Sequence, residues 1–253
     1  LHTRDRRQRQ MCIRDSSRGV TVHAHLYDPE AIKMAIEAGV DVFQHVGSAG
    51  NPPYEDALIN TIAHKEIPVV QTISHRVWVY PSTVAFPSRL KRAEYKTDMP
   101  DDIYREFMDS FQNFHQLPYF RNAATEIRNS KQSASQFIEA GARIGVGTDA
   151  ASPLNMHLEA IWREMSALVD SGMTPIQVIS AATKTNAEIL GVFTERGSLE
   201  PGKQADILVV AGNPMEDIEV LGRVALVAKG GAMWITENST LEVNGPVNHF
   251  QNP

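Results

Sequence analysis

The 253-residue sequence predicts an α/β protein, a parallel βα array followed by a small β unit. Three observations carry that prediction. Short β-branched runs begin near residues 20, 40 and 67, and stretches of helical apolar spacing separate them. Glycines close those stretches, at Gly39, Gly141 and Gly191. After Gly197 the helical pattern stops and Gly-punctuated β runs replace it.

Residues 20–25 (VTVHAH) read as the first strand. Pro29 then opens a helix in which Ala31, Ile32, Ala35 and Ile36 share one face, and Gly39 ends it. Residues 40–45 (VDVFQH) form a second strand, 54–64 a second helix and 67–73 (IPVVQTI) a third strand. The rhythm breaks between 74 and 130, where VWVYPSTVAFPSRL leads into helices around 102–115 and 119–128. A connection of that length reads as a functional excursion or lid, with Trp78, Tyr80 and Phe86 either lining a pocket or anchoring it. The rhythm resumes with a helix over 131–140 and a strand over 143–147 that leads to Thr148 and Asp149. Helices over 158–171 and 174–190 follow, the second with Pro175 in its first turn. Residues 197–235 carry the β unit, with Gly202 in a turn and Asp206 as a turn cap, and 236–253 read as an aperiodic tail.

A 42% hydrophobic and 21% charged chain can build one good core, which excludes disorder, collagen and coiled coil. No apolar run approaches the ~20 residues of a membrane-spanning helix. Although six arginines crowd the first 18 positions, the chain nets −6, so its body is acidic and argues against a nucleic-acid surface. Cys12 is the sole thiol, which removes internal disulfides and a Cys nucleophile from the rest of the chain. Residues 1–16 lack periodicity, and RQRQMCIRDS resembles translated sequencing-adapter sequence. They are read as a non-native or disordered tail, with the true N-terminus missing and localisation therefore unassigned.

Metal-capable residues end three of the strands: His23 and His25 the first, His45 the second, Asp149 the fourth. At the carboxyl ends of parallel strands such side chains converge. His23 and His25, at i and i+2, point to one face. Two imidazoles and a carboxylate suit Zn2+ with a position open for water, and hence hydrolysis. His75 and Arg76, beyond the third strand, and Asn155 and His157, after Asp149, are placed to touch a small-molecule substrate, with a helix cap as the other reading of Asn155.

The segments VHAHLYDPEAIKMAIEAGVDVFQH, IGVGTDA, TPIQVISAATKTNAEILG and GSLEPGKQADILVVAGNP, in this order, resemble the C-terminal half of the metal-dependent amidohydrolases, nearest the imidazolonepropionase-like and Xaa-Pro dipeptidase-like members. The resemblance runs from about 20 to 234. It implies strands five to eight of a TIM-like (β/α)8 barrel over 17–196 and part of a small β-sandwich over 197–235. It also implies one or two divalent metals, with His23 as the strand-five ligand, His25 its alternative, His45 on strand six, and Asp149 on strand eight as ligand and proton shuttle. The activity implied is hydrolysis of an amide or dipeptide-like C–N bond, with His45 and Asp149 in the catalytic centre. Ring deamination and a non-catalytic scaffold are the rival readings. The lysine and HxH strand of the family's first half have no counterpart before Val20. The chain alone is therefore expected to be inactive, and its open sheet edges to favour homo-oligomers.

Overall fold

The computed structural model describes residues 18–47, 53–91, 96, 99–111, 113–150, 152, 154–236 and 248–249. The tail expected at 1–16 lies outside them. Strands β1 (His23–His25), β2 (Val42–Gln44), β3 (Val69–Gln71) and β4 (Ile144–Val146) form one parallel sheet in that order. No closed barrel is present among the described residues.

Helix α1 (Pro29–Ala38) joins β1 to β2, and its ends follow from three residues. The Asp28 carboxylate accepts from the amides of Glu30 and Ala31 at 2.9 and 3.2 Å, Pro29 takes the first turn, and Gly39 at φ 74° turns the chain out. Asp28→Ala is expected to cost about 1 kcal/mol in a urea titration. An unchanged midpoint would show that packing alone holds this helix end.

Helix α2 (Asp56–His64) returns the chain to β3. Ile32, Ile62, Phe43, Val69 and Phe137 share one core between the sheet and its helices, while Val42, Val70 and Ile189 pack on the other face. Strands β3 and β4 are buried at every position, as a parallel sheet covered on both sides requires.

After β3 a π-helical turn (His75–Val79) runs into α3 (Tyr80–Ala85), and α4 (Asp101–Phe111) follows. Val79, Phe120 and Leu154 centre a small separate core, joined by Trp78, Tyr80 and Phe114. Trp78 and Tyr80 thus anchor the excursion, whereas Phe86 is 68% exposed. Arg89 fastens it further: the guanidinium donates to Thr83 Oγ1 at 2.9 Å and the Leu154 carbonyl at 3.0 Å, and it pairs with the Glu159 carboxylate.

Helix α5 (Ala123–Glu139) is continuous, where the sequence pattern divides it into 119–128 and 131–140. Its buried face includes Ser130 and Ser133, whose polarity hides the helical period. Helix α6 (His157–Asp170) follows β4. The expected 174–190 helix appears as α7 (Pro175–Ser180), a π-helical turn (Ala181–Thr185) and α8 (Asn186–Ile189) in succession. Asn186 reaches back to the outer edge of β4. Its Oδ1 accepts from the Val146 amide at 3.0 Å, and its Nδ2 donates to the Val146 carbonyl at 2.8 Å.

The second sheet runs β5 (Ile207–Val210), β6 (Val224–Lys229), β7 (Ala232–Ile235), β8 (Asn248–His249). The first three are antiparallel, and β8 lies parallel to β7. Residues 248–249 fall in the stretch read as a tail, and two residues are too few to show a period. Asp206 accepts from the Gly230 amide at 2.8 Å, the capping role its sequence context implies. A short turn (Ile218–Gly222) contributes Ile218 to the main core and packs on α6. Among the described residues no helix is long and apolar enough to cross a membrane.

Candidate active site

Parallel pairing brings the carboxyl ends of β1 to β4 to one side of the sheet. His45 and Asp149 sit there with φ of 66° and 48°, left-handed values that cost a non-glycine residue about 1–3 kcal/mol. Strain of this kind persists where surrounding structure enforces it, and here it falls on two residues singled out for chemistry.

The rings of His25 and His45 meet edge to face with centroids 4.9 Å apart, and Tyr27 stacks edge-on to His25 at 4.5 Å. His45 Nδ1 lies 2.9 Å from Thr72 Oγ1, which orients the imidazole from behind. Burial pushes the His45 pKa below its ordinary value and the nearby His25 adds to that, while the Asp149 carboxylate opposes both. At neutral pH the His45 imidazole is therefore neutral, the form that binds metal. His23 is engaged elsewhere, its Nδ1 2.9 Å from Gln44 Nε2.

His75 is only 4% exposed, and burial lowers its pKa to about 3, with Arg76 and His45 pushing the same way. Arg76 is buried too, its Nε 2.8 Å from the Glu126 carboxylate. Asn155 does not cap α6, whose N-cap is Met156. Its Nδ2 instead donates to the Thr148 carbonyl at 2.6 Å and so braces the backbone one residue before Asp149. His157 is exposed at the first turn of α6. The structure thus pairs His25 with His45, leaves Asp149 and His75 within electrostatic reach of His45, and engages His23 elsewhere while His157 stays exposed.

Three contributors escaped the sequence reading: Tyr27, Thr72 and Glu164. The fully buried Glu164 carboxylate accepts from the amides of Ile73 and Ser74 at 2.8 and 2.6 Å, and burial raises its pKa to about 7. A signal for it exists, since Glu164 lies on the α6 face that also buries Ala160, Ala167 and Leu168.

The donor chemistry here, imidazoles with His45 held neutral and one carboxylate, fits a zinc-like ion. The set is incomplete. Among the described residues no three His, Cys, Asp or Glu side chains converge closely enough to hold a metal by themselves. A cleft of about 530 Å³ opens at the opposite end of the sheet, where Thr21, Asp41, Lys65 and Arg143 line it, and it holds none of these donors.

Residues 10–233 match the Amidohydrolase family. The chain belongs to that family. The imidazolonepropionase of Thermoplasma acidophilum is 32% identical over 95 residues, 38% of this chain and 23% of that protein. The ochratoxinase of Aspergillus niger is 35% identical over 103 residues, 38% of this chain and 20% of its own length. A crystal structure of a Xaa-Pro dipeptidase with methionine in its active site superposes with a TM-score of 0.67 at 27% identity, covering 91% of this chain and 48% of the dipeptidase. This amidohydrolase therefore spans about half the length of its solved relative.

Proposed function

We propose that the chain is the C-terminal half, strands five to eight, of a (β/α)8-barrel metal-dependent hydrolase that cleaves an amide or dipeptide-like C–N bond in a small molecule. The observation that carries this reading is the His25–His45 ring contact at the carboxyl edge of a parallel sheet, with the Asp149 carboxylate within electrostatic reach of His45. The 48% coverage of the dipeptidase and the incomplete donor set support the half-barrel.

In a completed barrel His25, His45 and Asp149 would join ligands from the other half to hold the metal, which when bound supplies an activated water and polarises the scissile carbonyl. His25 takes the strand-five position because it faces His45, whereas Gln44 occupies His23. The Thr72 contact engages Nδ1 of His45, so Nε2 is the nitrogen offered to the site. Asp149, braced through Asn155 and Thr148, accepts a proton as the nucleophile forms and returns it to the leaving nitrogen.

Equilibrium dialysis of the 253-residue chain against zinc tests the ligand set. His25→Ala and His45→Ala are expected to weaken binding by tenfold or more, and His23→Ala by less than twofold. Equal zinc uptake by all four chains would remove the assignment, and a form completed with a relative's N-terminal half that still binds no stoichiometric zinc would favour the scaffold reading. In a form completed with a relative's N-terminal half, Asp149→Asn should lower kcat by ~10²-fold against an amide substrate. Ammonia released from a ring amine, with the amide untouched, would identify a deaminase instead.

A further inference from the structure

Glu164 lies on a face of α6 that otherwise sends Met165, Ala167 and Leu168 into the core, and solvent does not reach it. Its two carboxylate oxygens accept from consecutive amides, Ile73 at 2.8 Å and Ser74 at 2.6 Å. These amides lie just beyond β3, where the strand gives way to the helical run that carries His75 and Arg76. Burying a carboxylate costs several kcal/mol, and a well-packed apolar side chain serves stability as well or better. The buried carboxyl group is therefore better explained by what it holds in place. Thr72 immediately precedes Ile73, and the two side chains diverge: Ile73 enters the core shared with the helices, while the Thr72 hydroxyl meets His45 Nδ1 at 2.9 Å.

We propose that Glu164 is a positioning residue: by fixing the backbone at Ile73 and Ser74 it holds Thr72 against His45 and sets the orientation of that imidazole. The inference rests on the metal-hydrolase reading, because it is His45 as a ligand that needs the orientation. The coupling runs from α6, which follows Asp149 in the chain, to the end of β3 and then to the end of β2. One buried carboxylate thereby ties together the segments that present His45 and Asp149.

The test compares the metal-free unmutated chain, Glu164→Gln and Ser74→Pro by NMR of the backbone amides and imidazole nitrogens, with zinc affinity measured in parallel. Glu164→Gln keeps the volume but sets an amide N–H donor against a backbone donor. Ser74→Pro removes one of the two amides from the other side of the contact, at a φ of −58° that proline adopts readily. Each variant should keep a dispersed spectrum, shift the His45 ring nitrogens, and weaken zinc binding ten- to a hundredfold, the range for losing an outer support of a ligand. A merely structural role would lower the melting midpoint and leave the His45 signals and zinc affinity of a folded variant unchanged, and that result in either variant overturns the proposal. If the variants shift His45 yet the chain binds no zinc even when completed with a relative's N-terminal half, the hydrolase reading fails and the positioning role stands.

Discussion

Arg89→Met is expected to destabilise the chain by about 3–5 kcal/mol, the cost of removing one member of a buried ion pair. The Arg89 and Glu159 side chains are 9% and 5% exposed, so the remaining carboxylate would stay desolvated without its partner. The Leu154 carbonyl and Thr83 hydroxyl lose a donor in the same step, and the guanidinium no longer lies over the Trp78 ring, 4.9 Å from its centroid. Leu154 is itself held at φ 67°, so its backbone has little freedom to find another donor. The double variant Arg89→Met/Glu159→Leu should recover most of the loss, because it removes the stranded charge as well. Urea unfolding of the two single variants and the double variant completes a mutant cycle. A single-variant loss under about 1 kcal/mol would mean that water reaches the pair and that the excursion is fastened by its aromatic core alone.

The second large effect is on acid stability. His75 has a folded pKa of about 3 against an ordinary value of 6.5, so below pH 6.5 the unfolded chain takes a proton that the folded chain refuses. The stability it supports is whole above pH 6.5 and falls as pH drops toward 3, at roughly 1.4 kcal/mol per pH unit. Glu164 works in the opposite sense. Its raised pKa of about 7 means the folded chain binds the extra proton between about pH 7 and 4.5, so stability gained there offsets what His75 loses. The unmutated curve alone is therefore a poor reporter, and the comparison with His75→Gln is the informative one. Between pH 6.5 and 5 the unmutated chain should lose about 2 kcal/mol more than His75→Gln in urea titrations. Parallel pH profiles would show that His75 is protonated as readily in the folded chain as in the unfolded one.

The fold was legible wherever local chemistry repeats. Asp28, Pro29 and Gly39 bracket α1 as their types demand, and Thr174 with Gln177 closes a reciprocal cap at the start of α7. Legibility ended where a choice depended on a neighbour distant in sequence. His23 and His25 are equivalent under a period of two. They are separated only by the register with β2, which sets His25 opposite Gln44 and beside His45 while the Gln44 amide turns to His23. Thr72 is an ordinary strand residue until His45 arrives from 27 positions away. Asn155 has the composition of a cap, and only the fold shows its amide on the Thr148 carbonyl. The break in α5 was a false one, because buried serines carry no apolar signal.

The amide of Asn186 on Val146 has a consequence for how this sheet behaves in a crowded, half-folded population of chains. A strand edge recruits other strands by offering its N–H and C=O as a template. At Val146 both groups are already taken by a side chain that copies the hydrogen-bonding pattern of a peptide unit. A stray strand approaching from the β4 side must first evict Asn186, whereas no such guard stands along β1 among the described residues. Accretion onto the sheet is thus biased to one direction, and Asn186→Ala, by unblocking the other, should raise the rate of aggregation without touching any residue of the candidate site.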